Sequence, residues 1–272
     1  MITIKNENEI EILRQGGKFL AQIIKKLATE VKPGVTTGHL EKMACVLIKQ
    51  VNGRPSFKNY QANNSSILFP TALCTSINNE IVHSPSLPSR KLKLGDIVSL
   101  DLGMEYPANA SQNINLSNKS IKNGYYTDVA ITVPVGKISK EIEKLIKVTR
   151  KALQLGVKQI RPGNSLNSIG KAIEKYVNEQ GFSVVRELVG HGVGYAVHED
   201  PQIPNYEMAK NDKIILQSGM VLAIEPMVNA GDWRIQTDKN DFSILTVDNS
   251  LSAHFEQTVL ITKNSYEILT KF

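Results

Sequence analysis

Apolar residues recur every three or four positions along the first part of the chain. Residues 8–30 follow this spacing, which predicts an amphipathic helix that ends before the Pro-Gly pair at 33–34. A second helix is predicted from Thr37 to the Asn-Gly pair at 52–53. The same pattern returns after residue 139. Ser139 is expected to cap a third helix, and residues 165–180 form a fourth that stops at a glycine.

Between and after these helix pairs the pattern is typical of strands. Residues 73–77 alternate, residues 97–102 form a buried-looking apolar run, and residues 125–135 form another strand. The intervening residues 104–123 are rich in Asn and Ser, so we expect an inserted loop or loose hairpin. The last hundred residues return to strands.

The two halves of the chain repeat one another. A Pro-Gly turn between two helices occurs in each half, and an acidic residue follows six positions after a glycine in each half. The order of these matches predicts a single domain over 1–272, built from two pseudo-symmetric α-α-β-β halves at about 8–136 and 139–268. The matched segments are 31–34 with 160–163, 82–85 with 197–201, 95–101 with 219–225, and 128–133 with 256–261.

The repeat brings four carboxylates towards one axis. Asp101, Asp128, Glu225 and Glu256 all occupy duplicated strand positions in apolar surroundings. Buried carboxylates repel one another unless cations lie between them, and four negative charges balance two divalent ions. Oxygen ligands with an imidazole suit Mn, Fe, Co or Zn. We therefore expect a dinuclear metal centre.

Histidines accompany the carboxylates. The stretch 188–201 carries His191 between two glycines and His198 seven residues later, and the repeat pairs His198 with His83 of the first half. Glycines beside His191 allow the backbone to come close to whatever its imidazole binds. These three histidines are the candidate partners of the metal centre.

Composition limits the function classes. Two cysteines among 272 residues are too few for a disulfide framework, and charged residues interrupt the first thirty residues, unlike a signal peptide. No apolar run approaches the roughly 20 residues of a membrane span. We expect a soluble cytoplasmic protein. The net charge of +6 comes without an RNA-binding motif and is interpreted as a solvated surface, which would also help weak association with a ribosome.

Taken together, these stretches resemble the type I methionine aminopeptidases of bacteria, over essentially the whole chain. The resemblance implies an α+β, pita-bread (creatinase/aminopeptidase) fold around a central antiparallel sheet, and removal of N-terminal methionine from nascent proteins, preferring small second residues. The matching stretches are 79–83, 95–101, 126–128, 181–187, 191–194, 198–201, 224–227 and 250–256.

The same resemblance implies a ligand set for two divalent metal ions (Co, Mn, Fe or Zn). Asp101 would hold one ion, His191 and Glu225 the other, and Asp128 and Glu256 would bridge both. A water between the ions would be the nucleophile, because two cations lower its pKa.

Catalytic roles follow from the resemblance too. Glu225 would accept the proton of that water. His198 would hydrogen-bond the scissile carbonyl or the developing oxyanion, and His83 would lie near the scissile nitrogen, so both would also bind substrate.

The methionine pocket is less regular. Cys74 matches the family's pocket cysteine, and Phe69 matches a pocket aromatic. Val197 stands where an aromatic commonly precedes the second histidine, and Phe242 where a tryptophan is frequent. The loop 60–68 is also longer than the family's turn. We expect all four residues to bind the substrate side chain, in a pocket of altered shape.

Two alternatives remain at this point: a proline-specific aminopeptidase or prolidase of the same fold, and a non-catalytic binding relative. The expected partners are N-terminal methionyl peptides and nascent chains, with transient ribosome contact as an option, and neither a membrane nor sequence-specific nucleic acid. A monomer is expected. His254 is placed on the surface or behind the ligands, and Trp233 receives no role.

Overall fold

The computed structural model describes residues 1–61, 67–108 and 124–272. These ranges contain four α-helices: α1 (Glu7–Glu30), α2 (Thr37–Gln50), α3 (Lys140–Val157) and α4 (Asn167–Glu179). All four match the predicted helices. The cap of α3 is Ser139, whose hydroxyl accepts a hydrogen bond from the backbone of Ile142, as expected from the sequence. No helix in these ranges is long and apolar enough to cross a membrane.

The described residues also contain fifteen β-strands and one short 3-10 helix at Ala209–Lys213. In chain order the strands are β1 (Arg54–Pro55), β2 (Leu73–Ile77), β3 (Glu80–Val82), β4 (Ile97–Tyr106), β5 (Tyr125–Pro134), β6 (Ser183–Val184), β7 (Gly190–Gly192), β8 (Glu199–Ile203), β9 (Val221–Ile224), β10 (Met227–Asn229), β11 (Ile235–Thr237), β12 (Ile244–Thr246), β13 (Ser252–His254), β14 (Glu256–Ile261) and β15 (Tyr266–Ile268).

A nine-stranded antiparallel sheet forms the centre of the molecule. Its order is β1-β4-β5-β14-β9-β7-β8, with β2 added on β4 and β15 on β14. Strands β4 and β5 come from the first half of the chain, whereas β9 and β14 come from the second. The halves therefore meet where β5 pairs with β14. The acidic residues singled out in the sequence lie near this seam: Asp101 and Asp128 are inside β4 and β5, Glu256 begins β14, and Glu225 directly follows β9.

The helices pack their apolar faces against this sheet. Leu20, Ile24 and Leu27 of α1 are fully buried in one core cluster together with strand residues of both halves. Burying each such side chain contributes roughly 1.5–3 kcal/mol relative to exposure. The close approach of α1 depends on Gly17, because a Cβ there would lie 2.7 Å from the backbone oxygen of Leu269.

The predicted start of the loop, residue 104, is too early in the sequence. Residues 104–106 continue β4 and pair with β5 as far as Tyr106 opposite Tyr125. Glu105 is buried, and its carboxylate accepts hydrogen bonds from the backbone of Gly124 (2.8 Å) and from Arg54 Nε (2.7 Å). These partners allow the charged Glu105 to lie inside the sheet. The polar composition of residues 104–123 does not reveal such partners, so it predicted a loop here. Residues 109–123 lie outside the described part of the chain.

Candidate active site

A cavity of about 830 Å³ lies over the middle strands of the central sheet. Its described lining includes every predicted metal ligand, both predicted catalytic histidines and three of the four predicted pocket residues. These are Asp101, Asp128, His191, Glu225, Glu256, His83, His198, Cys74, Phe69 and Phe242.

Strand register brings three carboxylates to one face of the sheet. Asp101 on β4 and Glu256 on β14 both pair with Ala130 of β5, one from each side. Asp128 lies two residues before Ala130, and residues i and i+2 of a strand share a face. Ligand oxygens of Asp128 and Glu256 lie, together with a ring nitrogen of His191, within 4.8 Å of one another.

His191 enters from β7, where it pairs with Ala223 of β9. Its Nδ1 lies 2.9 Å from the backbone oxygen of Gly192, which can only accept, so Nδ1 carries the proton. Nε2 is therefore left with its lone pair, 3.4 Å from Glu225 Oε1. A neutral imidazole with a fixed Nδ1 proton is the form that binds metals.

Burial and mutual repulsion set the charges of the cluster. Burial raises the pKa of Asp101, Glu225 and Glu256 well above the usual range, and neighbouring carboxylates raise each of them further. Burial also raises the pKa of Asp128 to about 7. Burial has the opposite effect on a base, because it disfavours the charged form. It lowers the pKa of His191 to about 3, so this imidazole is neutral.

The donor set fits divalent cations. Oδ1 of Asp101 is buried, and no hydrogen-bond partner for it exists among the described residues. A buried carboxylate oxygen of this kind is costly unless a cation or donor meets it. Oxygen ligands joined by one imidazole match the preferences of Mn, Fe, Co and Zn. The five predicted ligands therefore offer the donor types that these cations prefer, and three of them, Asp128, His191 and Glu256, place ligand atoms close enough to share an ion.

Two further histidines face the cavity. His198 Nδ1 lies 2.8 Å from the hydroxyl of Tyr60, and its ring packs edge-on against His191 with 4.5 Å between centroids. His83 adopts a left-handed backbone conformation (φ 59°), just before Ser84, whose carbonyl accepts a hydrogen bond from Thr75 N at 2.8 Å. His83 is open to the cavity yet deep in the protein, so burial lowers its pKa to about 4.

An apolar pocket adjoins the carboxylates. Phe69 and Phe242 pack edge to face with 5.4 Å between ring centroids. Cys74 pairs with Asp101 across β2 and β4, and burial followed by nearby carboxylates raises the pKa of its thiol. Val197 differs from its prediction. It is buried, and it is not one of the described residues that line the cavity.

Several cavity residues were missed in the sequence. Tyr60, Met227 and Ile244 line the cavity, but they come from separate loops and strands and carry no shared motif. His254 is only 1% exposed, with Nε2 3.6 Å from Glu225 Oε2, so a surface position for it is wrong. The apolar neighbours of His254 on β13 could have indicated its burial. Trp233, in contrast, is partly exposed beneath the Arg186 guanidinium.

Comparison with known proteins agrees with this geometry. Residues 11–263 match the metallopeptidase family M24. The chain belongs to this family. Within M24 it is 44% identical to a methionine aminopeptidase of Clostridium acetobutylicum over 271 residues, covering 99% of each chain. The crystal structure of a methionine aminopeptidase from Thermotoga maritima superposes with a TM-score of 0.88 at 38% identity, covering 100% of both chains.

A more distant M24 structure shares only the fold. The prolidase of Pyrococcus horikoshii superposes with a TM-score of 0.72 at 21% identity, covering 98% of this chain and 63% of that one. The predicted α+β pita-bread fold and the predicted family are thus confirmed. The chain is a methionine aminopeptidase-type M24 metallopeptidase, a hydrolase that uses divalent metal.

Proposed function

We propose that the chain removes the N-terminal methionine of newly made proteins by hydrolysing the first peptide bond, and that it prefers a small second residue. The observation that carries this proposal is the cluster of four carboxylates and His191 on the cavity floor, beside an apolar pocket. The full-length relatives that bear the name methionine aminopeptidase support the same activity.

Asp101, Asp128, His191, Glu225 and Glu256 would hold two divalent ions drawn from Mn, Fe, Co and Zn. Such ions, when bound, polarise the scissile carbonyl and lower the pKa of water. The raised carboxylate pKa values agree with a site built for cations, because the repulsion that raises them is relieved by positive charge.

Glu225 is the proposed proton carrier. Its carboxylate follows β9, lies at the edge of the cluster beside His191 and His254, and lines the cavity. Burial raises the pKa of Glu225 well above that of an ordinary glutamate. A carboxylate with this environment can take the proton of the attacking water and return it to the leaving amine.

His198 and His83 are the proposed substrate contacts at the scissile bond. His198 Nδ1 lies 2.8 Å from the Tyr60 hydroxyl. We propose that the hydroxyl is the donor, in which case Nε2 carries the proton. That N–H can donate to the scissile carbonyl oxygen and stabilise the negative charge that develops there. His83, on the opposite loop of the same cavity, would hydrogen-bond the scissile nitrogen and steady the leaving amine.

The methionine side chain would occupy the apolar pocket of Phe69, Phe242 and Cys74. Aromatic walls and a thiol suit a polarizable thioether. Methionyl peptides and nascent chains are then the substrates, and we propose a cytoplasmic monomer. An excess of 32 basic over 26 acidic residues would favour transient contact with ribosomal RNA.

The test is release of the first residue from the peptides Met-Ala-Ser, Leu-Ala-Ser and Met-Pro-Ala. Metal is stripped and then Mn, Fe, Co or Zn is added back singly. We expect metal-dependent release of methionine, with leucine largely refused. Cleavage confined to the proline peptide would assign the chain to the proline-specific branch. Absence of cleavage with every metal would favour a binding role.

A further inference from the structure

A single carboxylate organises the loop that carries His198. This His198 loop comprises residues 194–199. Glu199 Oε1 accepts hydrogen bonds from the backbone nitrogens of Tyr195 and Ala196, the latter at 3.0 Å. The loop thus turns around the side chain of the residue that directly follows His198. The position of the Glu199 carboxylate therefore sets the path of the backbone leading into His198.

The other oxygen of Glu199 is held from a distant part of the sequence. Lys5 Nζ donates to Glu199 Oε2 at 2.8 Å, and the Thr3 hydroxyl donates to the same oxygen. The side chains of Lys5 and Glu199 are 1% and 8% exposed, so water screens this ion pair little. The backbone nitrogen of Lys5 is itself fixed by the carbonyl of Gly219 at 2.9 Å.

The same N-terminal segment contacts the loop at a second point. The Tyr195 hydroxyl donates to Glu9 Oε2 at 2.8 Å, and the Lys5 ammonium lies 4.8 Å from the centroid of the Tyr195 ring. Glu9 is in turn fixed by the capping box at the start of α1, where it accepts from Asn6 N. Thr3, Lys5 and Glu9 together form what we call the brace of the His198 loop.

We propose that Lys5 is a positioning residue for the peptidase reaction, which holds His198 at the scissile carbonyl by fixing the Glu199 carboxylate. The inference rests on the proposed function for the role of His198. A buried carboxylate that loses its cation takes up a proton or moves to water. Either change weakens the hydrogen bonds to Tyr195 N and Ala196 N, and His198 moves with them.

The charges of the pair agree with this assignment. Burial would raise the pKa of Glu199, but hydrogen bonds from Lys5 and Thr3 outweigh it and lower that pKa, so the carboxylate stays ionised. Burial lowers the pKa of Lys5, against the attraction of Glu199. Lys5 is thus held in a desolvated site that only its acidic partners make tolerable.

The kinetic test compares four variants on Met-Ala-Ser with saturating metal. In Lys5→Met we expect kcat to fall about tenfold, because displacement of a positioned group costs rate, while KM and metal affinity stay within about twofold. Lys5→Arg should keep the charge and most of the activity. Lys5→Met/Glu199→Gln should recover most of kcat, because glutamine still accepts the two loop amides without a buried charge. Lys171→Met, which breaks an exposed pair with Glu207, should be unchanged.

A spectroscopic measurement separates positioning from general destabilisation. Imidazole nitrogen resonances are recorded on metal-free protein labelled at histidine, with His198 assigned by its alanine variant. We expect Lys5→Met to shift the His198 signals and to leave those of His39 on α2 unchanged. If Lys5→Met fails to fold, Thr3→Val, which removes one donor to Glu199, takes its place.

The proposal is overturned by unshifted His198 signals in a folded Lys5→Met protein, or by wild-type kcat in that protein. It is also overturned if the double variant is no more active than Lys5→Met. A failure of the proposed function looks different, because the wild-type protein would then release no methionine with any metal while the spectroscopic comparison could still be made.

Discussion

The hydroxyl of Tyr60 lies 2.8 Å from Nδ1 of His198, across 138 residues of sequence. With the phenol as the donor, as proposed above, the Nε2–H of the histidine is free to donate into the cavity. The two rings also pack edge to face with 5.3 Å between centroids. Tyr60 therefore orients the proposed carbonyl-binding residue, and its hydroxyl is the proposed determinant of the tautomer.

Replacing Tyr60 by phenylalanine tests this relationship. Loss of one hydrogen bond of about 1 kcal/mol should lower kcat for Met-Ala-Ser by about fivefold, because part of the population then carries the proton on Nδ1. KM and the thermal unfolding midpoint should change little, since the ring remains. Tyr206→Phe, at a tyrosine that packs on Arg186 and does not line the cavity, is the control. Equal kcat values for the two variants would contradict the prediction.

Asp101→Asn separates the effect of the carboxylate cluster on stability from its proposed role in metal binding and catalysis. In metal-free protein we expect the free energy of unfolding at pH 8 to rise by about 1 kcal/mol, because one of the mutually repelling buried carboxylates is gone. The metal-dependent rise in the unfolding midpoint should shrink, and kcat should fall at least about a thousandfold. Urea unfolding with and without Mn measures the first two quantities. Glu11→Gln on the exposed face of α1 should leave all three as in the wild type. Lower metal-free stability in Asp101→Asn would count against the repulsion argument.

His254 predicts a pH dependence of stability. Burial lowers its pKa from 6.5 to about 3, so the folded protein binds fewer protons here than the unfolded chain between these values. The contribution of His254 is therefore fully present above pH 6.5 and is lost as the pH falls towards 3. The variant His254→Gln has no titrating side chain at this position, so it does not lose this contribution to stability as the pH falls. Between pH 7 and pH 5 its free energy of unfolding should improve relative to the wild type by about 2 kcal/mol.

Urea unfolding at both pH values, with a chelator present, makes this comparison. His39→Gln on the surface of α2 serves as the control for removing any histidine. A difference between His254→Gln and the wild type that does not change with pH would show that the buried imidazole does not stay neutral.

Substitutions at Phe242 and Val197 are expected to have different effects on substrate discrimination. Phe242→Ala removes one of two aromatic walls, so KM for methionyl peptides should rise about tenfold and discrimination against leucyl peptides should weaken, because a large apolar contact is lost. Val197→Ala should lower the free energy of unfolding by about 1–2 kcal/mol with little effect on this discrimination, since Val197 is buried and is not among the described residues that line the cavity. Parallel assays of Met-Ala-Ser and Leu-Ala-Ser make the test. Loss of discrimination in Val197→Ala would restore its expected role in the pocket.

Much of this protein could be predicted from local pattern. The four helices follow from apolar spacing with caps such as Ser139, and the duplicated strands follow from the recurrence of Gly95 to Asp101 as Gly219 to Glu225. An acidic residue in an apolar strand is rare enough to indicate a partner, and the internal repeat singled out Asp101 and Asp128 in this way. Their prediction as metal ligands came from the resemblance to the family.

Only the tertiary structure decided which neighbours these residues have. Tyr60 meets His198, Lys5 meets Glu199 and His254 reaches Glu225 through contacts between segments far apart in sequence, and periodicity carries no information about such contacts. Val197 is a further case. Its neighbour His198 lines the cavity, whereas Val197 is buried and is not among the described lining residues. Sequence alone determined the helices and most strands and the acidic positions on them, because these depend on local chemistry. Packing alone decided the shape of the pocket and the bracing of its histidines, because both depend on where separate strands and loops meet.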